Sequence, residues 1–420
     1  MAIAAEPTPA GRVALAYPGF KAYLIARFCI VIALEMQAVA VAWQVYEITR
    51  RPLDLGLIGL AQFLPGFALF LPAGHAVDRH DRRRVLIISY GASAVCSALL
   101  LIISLYRTAT VYPIYAVVIL LGSTRAFTFP ASRALLPQLL PREHFSNAVA
   151  WHSSFFQAGT ILGPAVGGLL YAFFRGATGV YAIAMVIAAL AAIATQRIKT
   201  KPAARSRAPV SLANVLVGFR YIWAHKLILG SISLDLFAVL LGGAVALLPV
   251  YAREILHTGP WGLGLLRSAP GVGAAAMAIL IAHRPIKGNS GPVMLGCVAG
   301  FGIFTIIFGI SHNLVVSLIS LLFVGASDMV SVVIRAILVQ LGTPDEMRGR
   351  VNAVDMLFIG ASNQLGEFES GLTAHWFGTV PAVILGGVGT LVVIAIWAWK
   401  FPELRRADEI STVESMRWNR

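Results

Sequence analysis

The sequence predicts an all-α membrane protein with twelve transmembrane helices in two pseudo-symmetric six-helix bundles. Three observations lead to this fold class: the composition, a series of long apolar runs, and an internal repeat. Of the 420 residues, 58% are hydrophobic and only 12% are charged, and the mean hydropathy is +0.79. A soluble domain carries about 25% charged residues. The composition therefore excludes a water-soluble enzyme, a disordered chain and a collagen-like chain.

The apolar runs give the transmembrane helices. Residues 85–106 and 380–399 contain no charged group, and each run is long enough to cross the hydrocarbon core. Backbone amides in lipid must be satisfied within their own segment, so these runs predict helices. Allowing isolated charges, the predicted spans are 23–46, 55–77, 85–106, 112–132, 148–174, 179–195, 227–251, 262–282, 292–310, 313–338, 351–377 and 380–399.

The basic residues predict the orientation of the chain. Of the Lys and Arg residues, 26 fall on the faces that hold the termini and five on the opposite face. By the positive-inside rule, both termini are cytoplasmic in a bacterial-type inner (plasma) membrane. The net charge of +14 then reflects topology and attraction to membrane lipids, so no nucleic-acid partner is expected. Residues 1–11 lack the pattern of a removable signal peptide.

The same spans divide the chain into four parts. We predict an N-terminal six-helix half at 1–195, a cytoplasmic linker at 196–226, a C-terminal six-helix half at 227–399 and a cytoplasmic tail at 400–420. From residue 211 the linker carries apolar side chains at spacings of three and four, which predicts an amphipathic helix on the membrane surface. These are Leu212, Val215, Leu216, Phe219, Ile222 and Trp223.

Short matches between the halves indicate a duplication. Four pairs recur in order, at offsets of 200, 205, 202 and 205 residues. They are Leu34-Glu35 with Leu234-Asp235, Gly59-Leu60 with Gly264-Leu265, Arg133-Ala134 with Arg335-Ala336, and Asn147-Ala148-Val149 with Asn352-Ala353-Val354. Parallel repeats of this kind, with a site between them, are typical of alternating-access transporters.

One cytoplasmic segment carries a family resemblance. Residues 74–84 contain Gly74, Asp78, Arg79 and the basic pair Arg82-Arg83 in the order found in the signature loop of the major facilitator superfamily, which they resemble. The usual second glycine is Asp81 here. The short segments 43–46, 136–143 and 344–350 are most similar in sequence to the enterobactin-exporter and macrolide-efflux branch of the antiporters that exchange drugs for protons. The resemblance implies a monomeric secondary active transporter with the major facilitator fold.

The loop is a candidate cytoplasmic gate. Asp78 could pair with an arginine, or accept amide hydrogen bonds at the N-terminus of the eleventh predicted span, where Arg348 and Arg350 lie. Such a contact would hold the cytoplasmic side shut in one state. The alternative is that the loop's basic residues only follow the positive-inside rule. The predicted gate residues are Gly74, Asp78, Arg79, Arg82, Arg83, Arg348 and Arg350.

The fifth predicted span carries a glycine series that resembles the exporter motif of proton-coupled antiporters. Glycines four residues apart permit close helix packing, and a proline removes one intrahelical hydrogen bond. The residues are Gly159, Gly163, Pro164, Gly167 and Gly168. The alternative is an ordinary packing face of small residues.

Ionisable groups at bilayer depth are the candidates for proton coupling or for lining the substrate cavity. Each costs at least ~2.5 kcal/mol, so each one points to a cavity or a partner. The candidates are Glu35, Arg125, Asp235, Asp328 and Glu367, and the resemblance places four of their helices around a central cavity. Glu35 and Asp235 are the expected proton carriers, and Arg125 their partner. The alternative is fixed ion pairs, such as Glu35 with Arg125, that only hold helices together.

These features predict proton-coupled efflux of a small amphipathic compound of the drug or siderophore class. Import of a small nutrient is one alternative, and a non-transporting membrane scaffold or sensor is another. No nucleophile with its base, phosphate-binding loop or metal cluster is visible, so we expect neither an enzyme nor a cofactor. With Glu369 and Arg267 counted as well, five acids against two arginines lie at bilayer depth, which favours neutral or cationic cargo.

Overall fold

The computed structural model describes residues 10–107, 109–198, 212–284, 286 and 288–407, and within these ranges the chain is helical without a β-strand. This confirms the all-α prediction. The first helices are α1 Pro18–Thr49, α2 Pro52–Ala68, α3 Phe70–Arg79, α4 Arg82–Leu105, α5 Tyr112–Leu135, α6 Phe145–Phe174, α7 Ala177–Gln196 and α8 Leu212–Ala224. They are followed by α9 Lys226–Leu241, α10 Leu248–Val250, α11 Gly259–His283, α12 Ser290–Ile310, α13 Leu314–Gly342, α14 Asp345–Phe377, α15 Thr379–Lys400 and α16 Pro402–Arg405.

The count of membrane helices is consistent with the twelve predicted spans. Among the described residues, ten helices are long and apolar enough to cross a bilayer, and the bent pair of α2 and α3 makes an eleventh. Helix α14 has 33 residues, so its length suffices for a twelfth span. Its charged groups make it less apolar than the others.

The second predicted span is a broken helix. Helices α2 and α3 meet at an angle of 50°. Pro65 lies one turn before the break and Pro72 lies in the first turn of α3, and neither can donate a backbone hydrogen bond. Each proline removes one helical hydrogen bond, and these two missing bonds close to the break explain the bend, which hydropathy alone does not reveal.

The seventh predicted span is also interrupted. Helix α9 ends at Leu241, and short 3-10, α and π segments continue to Ile255. Gly243 lies against α14, where a Cβ would come within 2.6 Å of the Gly366 carbonyl oxygen. The Gly242-Gly243 pair thus lets the chain leave the helix and approach α14 closely.

Close packing separates the chain into two units. The first contains residues 1–40, 65–108 and 112–209, and the second contains 41–64, 109–111 and 210–420. The first unit has a core around Phe20, Leu24 and Ile30, and the second around Leu234, Met294 and Ile334. The domain boundaries predicted from the repeat stay a prediction, because the two units are defined by contacts between residues and the repeats by matches in sequence.

Helix α8 forms where the linker is predicted to become amphipathic. Ile222 is buried against Val351 and Val354 of α14, whereas Trp223 is 66% exposed. One face of α8 therefore packs on α14 of the same unit, and another face is exposed. Residues 199–211 of the predicted linker, 408–420 of the predicted tail and the first nine residues lie outside the described ranges.

Candidate functional site

A buried charge cluster lies in the second unit, around Arg335. Its Nη1 atom lies 3.0 Å from Oδ2 of Asp235 and 3.0 Å from Oδ1 of Asp355. The Arg335 side chain is only 4% exposed and that of Asp235 only 7%. One guanidinium therefore ties together α9, α13 and α14, through a charge-assisted hydrogen bond to Asp355 and an ion pair with Asp235.

Apolar neighbours hold the three helices of this cluster in place. Leu234 precedes Asp235, Ile334 precedes Arg335, and Val354 precedes Asp355, and each of the three is buried. Leu234 and Ile334 belong to one apolar core, and Val354 packs with Ile232 and Ile228 in another. The charged side chains thus sit where apolar packing already brings the helices together, which fixes their geometry.

Asp328 adds a third carboxylate nearby. It lines a cavity together with Asp235, Ala238, Val239, Val298, Phe301 and Ser331. The water-accessible part of this cavity is about 10 Å³, roughly the room of one water molecule. Asp328 precedes Arg335 by two helical turns, so both lie on the same side of α13.

The charge balance of the cluster favours bound protons. Asp235, Asp328 and Asp355 face a single guanidinium, and a buried charge without compensation is costly. With all three acids ionised the cluster would carry a net charge of minus two. Holding at least one proton removes part of this excess, so the arrangement can take up and release protons.

The structure brings together only part of the predicted cavity set. Asp235 and Asp328 line one small cavity, and the neighbouring Arg335 and Asp355 are not among the predicted cavity residues. Arg335 is one of the 26 basic residues that the sequence places on the cytoplasmic face, because it lies near the end of predicted span 313–338. Helix α13 continues to Gly342, so Arg335 lies about two turns inside it. Its repeat match with Arg133 was the one available signal.

Glu35 lies at a close contact between α1 and α6 in the first unit. A Cβ on Gly163 would lie 2.5 Å from the Glu35 Cβ, and one on Gly167 would lie 2.7 Å from the Met36 Cα. Gly159 meets Val31 in the same way, at 2.7 Å. The glycine series is therefore a packing face, and it places Glu35 at the contact. Pro164 and Gly168 are also buried in α6.

The other predicted cavity residues occupy separate places. Glu367 of α14 packs against α2, where a Cβ on Gly59 would lie 2.7 Å from its Cβ. It is about 18 Å along α14 from Asp355. Arg125 is half-buried on α5. Glu369 accepts a hydrogen bond of 2.7 Å from Thr373.

The signature loop has an ordered local structure. Asp81, which replaces the usual glycine, is the N-cap of α4, and its side chain accepts a hydrogen bond of 2.9 Å from the Arg83 amide. The Arg83 guanidinium also donates to the Gln196 carbonyl oxygen. At the start of α14, Arg348 pairs with Asp345 at 2.7 Å. The predicted contact of Asp78 with this helix start stays a prediction.

A further polar group in the second unit was not predicted. Tyr46 donates a hydrogen bond to Glu254, and Arg253 lies 3.6 Å from Glu47. The Arg253 guanidinium also lies 5.4 Å from the centre of the Trp43 ring. The end of α1 is thus held against the segment that follows α9. In a hydropathy analysis these residues only mark the ends of spans, so the sequence gives no signal that the end of α1 contacts the segment after α9.

Comparison with known proteins decides the family. A family model described as a transmembrane secretion effector matches residues 13–420. The chain belongs to this family of major facilitator transporters. Curated relatives include the enterobactin exporters EntS of Shigella boydii serotype 4 and Escherichia coli O81, each 25% identical over 395 residues, which is 93% of both chains compared.

Solved structures share the fold of this transporter. The nucleoside transporter NupG has a TM-score of 0.69 at 12% identity and covers 91% of this chain and 99% of its own. A D-xylose-proton symporter has a TM-score of 0.67 at 17% identity and covers 92% and 98%. The family match makes the protein a multi-pass transporter of the inner membrane and not an enzyme. Its family and relatives support efflux.

Proposed function

We propose that this transporter exports a small amphipathic compound of the drug or siderophore class in exchange for protons, by alternating access, with both termini in the cytoplasm. The observation that carries the proton coupling is the cluster of Asp235, Asp328 and Asp355 around Arg335. The direction is supported by relatives named as enterobactin exporters. The orientation rests on the distribution of basic residues.

Protonation would change how the helices of the second unit are held. In the charged form, Arg335 binds Asp235 of α9 and Asp355 of α14. A proton on Asp235 removes one of these two ion pairs and leaves Arg335 bound mainly to α14. The contact between α9 and α13 is then weaker, so proton uptake biases the helices between two arrangements.

The first unit contributes Glu35 as the second proposed carrier. Glu35 is the repeat match of Asp235 and lies where α1 packs on the glycines of α6. A change in its charge therefore acts directly on the α1 and α6 contact. Asp78 is proposed to act later, as a contact that closes the cytoplasmic side.

A flux assay in proteoliposomes tests this proposal. An imposed pH gradient should drive transport in a screen of dyes, macrolides and catecholate siderophores. Asp235→Asn should lower the pH-driven flux at least tenfold but leave exchange without a gradient measurable. Glu369→Gln is the matched control, since it removes an acid that is hydrogen-bonded to Thr373 away from the cluster. Equal pH-driven flux in both variants would contradict the role of the cluster.

Cell experiments separate export from the alternative of import. Cells that lack an exporter accumulate its cargo, whereas cells that lack an importer fail to take it up. The proposal predicts accumulation of the compound identified in the flux screen. Loss of uptake in the deletion strain would favour import of a nutrient.

A further inference from the structure

A second group of buried charges lies in the first unit, and its sign is opposite to that of the acid cluster. Arg27 of α1 is only 7% exposed. Its guanidinium lies 5.4 Å from the centre of the Phe156 ring of α6 and interacts electrostatically with Tyr90 of α4. The Nε atom of Arg27 is buried without a hydrogen-bond partner. This arginine is therefore incompletely satisfied.

Arg133 of α5 is the second cation of this group. Its guanidinium lies 4.5 Å from the centre of the Phe129 ring, and it interacts electrostatically with Arg27 and with His152. Arg133, Phe129 and Phe156 are exposed. The group is thus accessible from one side, and it presents two guanidinium groups and two aromatic faces.

A hydrogen-bonded framework holds the three helices of this site in position. The Tyr23 hydroxyl lies 2.7 Å from the Ser132 hydroxyl and 3.3 Å from Nδ1 of His152. The Tyr23 and His152 rings also stack, with their centres 5.7 Å apart. Because α1, α5 and α6 are tied together here, the two arginines are held near each other despite their like charges.

Within the described part of the chain, the positive charge of this group is not neutralised by a carboxylate. Among the described residues, no carboxylate forms an ion pair with Arg27 or Arg133. Two guanidinium groups in a partly buried site without a counterion are unfavourable, and an anion placed between them relieves the repulsion. The geometry therefore favours an anionic ligand.

The internal repeat makes the contrast between the two units sharper. Arg133 matches Arg335, but Ala150 stands at the first-half position that matches Asp355. Conversely, Leu227 stands at the second-half position that matches Arg27. The second unit thus surrounds its arginine with acids, whereas the first unit adds another arginine and lacks that acid. In the second unit the protein supplies the anion, and in the first a ligand must supply it.

We propose that Arg27 and Arg133 bind a carboxylate on an aromatic cargo whose ring packs on Phe129 and Phe156. This inference rests on the proposed function and names the cargo class of that transport. It revises the expectation of neutral or cationic cargo, because that count of buried charges omitted Arg27, Arg133 and Arg335. In the proposed orientation Arg27 lies about 9 Å beyond Lys21 along α1, in the cytoplasmic half of the membrane. Cargo would therefore bind from the cytoplasm.

Equilibrium binding tests this site without any transport. The purified transporter in phosphatidylcholine nanodiscs is titrated at neutral pH with salicylate, an aromatic anion, and with salicylamide, its uncharged analogue. We expect salicylate to bind at least tenfold more tightly than salicylamide. Arg27→Gln and Arg133→Gln should each remove this preference. Arg142→Gln, an exposed arginine on the same unit, is the matched control and should keep it.

The outcomes that overturn the inference are distinct. Equal binding of both probes by the unaltered protein, or a preference that survives both substitutions, would refute the site. Loss of salicylate binding when phosphatidylglycerol is added would assign the arginines to a lipid phosphate instead. If Arg27→Gln does not fold, the exposed Arg133 still provides the test. Binding is measured without a pH gradient, so failure of proton coupling would leave this result unaffected.

Discussion

Arg335 determines the behaviour of three helices through one side chain. It is buried between Asp235 and Asp355, and each carboxylate lies 3.0 Å from the same nitrogen atom. Removing one member of a buried ion pair leaves its partner charged and unsolvated, which costs about 3–5 kcal/mol in soluble proteins. The effect of a substitution on stability therefore depends more on which charge loses its partner than on how many charges the cluster holds.

Substitution of Arg335 should destabilise the protein more than substitution of Asp355. Arg335→Gln leaves two carboxylates without a cation and should lower the unfolding free energy by about 3–5 kcal/mol. Asp355→Asn leaves Asp235 bound to Arg335, so the loss should be smaller. Thermal unfolding in detergent measures both, with Arg142→Gln as the control. A smaller effect for Arg335→Gln than for Asp355→Asn would contradict the described pairing.

Glu35→Gln tests the second proposed carrier. The substitution keeps the size of the side chain at the contact with Gly163 but removes its carboxylate. We expect pH-driven flux to be abolished and the thermal unfolding midpoint to stay within a few degrees of the unaltered protein. Flux in proteoliposomes and calorimetry measure the two quantities. Unchanged proton coupling would show that Glu35 only packs against α6.

Residues deep inside apolar runs were predictable, and those near span ends were not. Asp235 and Asp328 stand out because the surrounding residues are apolar. Arg27 and Arg335 lie near predicted ends, where a charge can reach water at little cost. Whether such a side chain is buried depends on which helices pack around it, and one sequence does not contain that information.

At the scale of elements, glycines decide where helices touch. The α6 glycines were predicted as a packing face or an exporter motif, and the structure shows them packed on α1 at Val31, Glu35 and Met36. The breaks in the second and seventh spans were not predicted. Hydropathy stays high through Pro65, Pro72 and Gly242-Gly243, so a window average does not separate a bent or interrupted span from a straight one.

A pair of glycine substitutions tests the α1 and α6 contact. Gly167→Ala places a methyl group 2.7 Å from the Met36 Cα, and overpacking of this kind costs typically 1–3 kcal/mol. Gly91→Ala meets nothing within 4 Å on α4 and should be neutral or stabilise by roughly 0.5–1 kcal/mol. Unfolding midpoints of the two variants give the comparison. Equal stability would mean that α1 and α6 separate easily at this contact.

At the scale of the whole molecule, the duplication carries two different chemistries. The repeat matches Glu35 with Asp235 and Arg133 with Arg335, yet only Arg335 is paired with acids. Two copies of one framework thus provide a cluster suited to protons and a cluster suited to an anion. The repeat and the fold could be predicted from the sequence, because offsets and hydropathy are properties of the chain itself. The different roles of the two clusters could not be predicted from the sequence, because they depend on which side chains come into contact in the folded protein.

The proposed gate is tested by a matched pair in the signature loop. Asp78→Asn should reduce transport several-fold without loss of membrane insertion, because it weakens the proposed contact with the start of α14. Asp81→Asn should be close to neutral, since asparagine is as good an N-cap for α4 as aspartate. Flux per inserted protein measures both. Undiminished transport by Asp78→Asn would refute the gate.

The polar character of α14 has a consequence for how the protein is made. Its 33 residues include Asp355, Glu367 and Glu369, and an aspartate at the centre of a membrane helix opposes insertion by about 2.5–3.5 kcal/mol. When α14 leaves the ribosome, it is thus poorly able to enter lipid unaided. Arg335 of α13 has already been synthesised by then and offers Asp355 a partner. Biogenesis of the C-terminal end should therefore depend on helices made earlier, and chains without Arg335 should be degraded soon after synthesis.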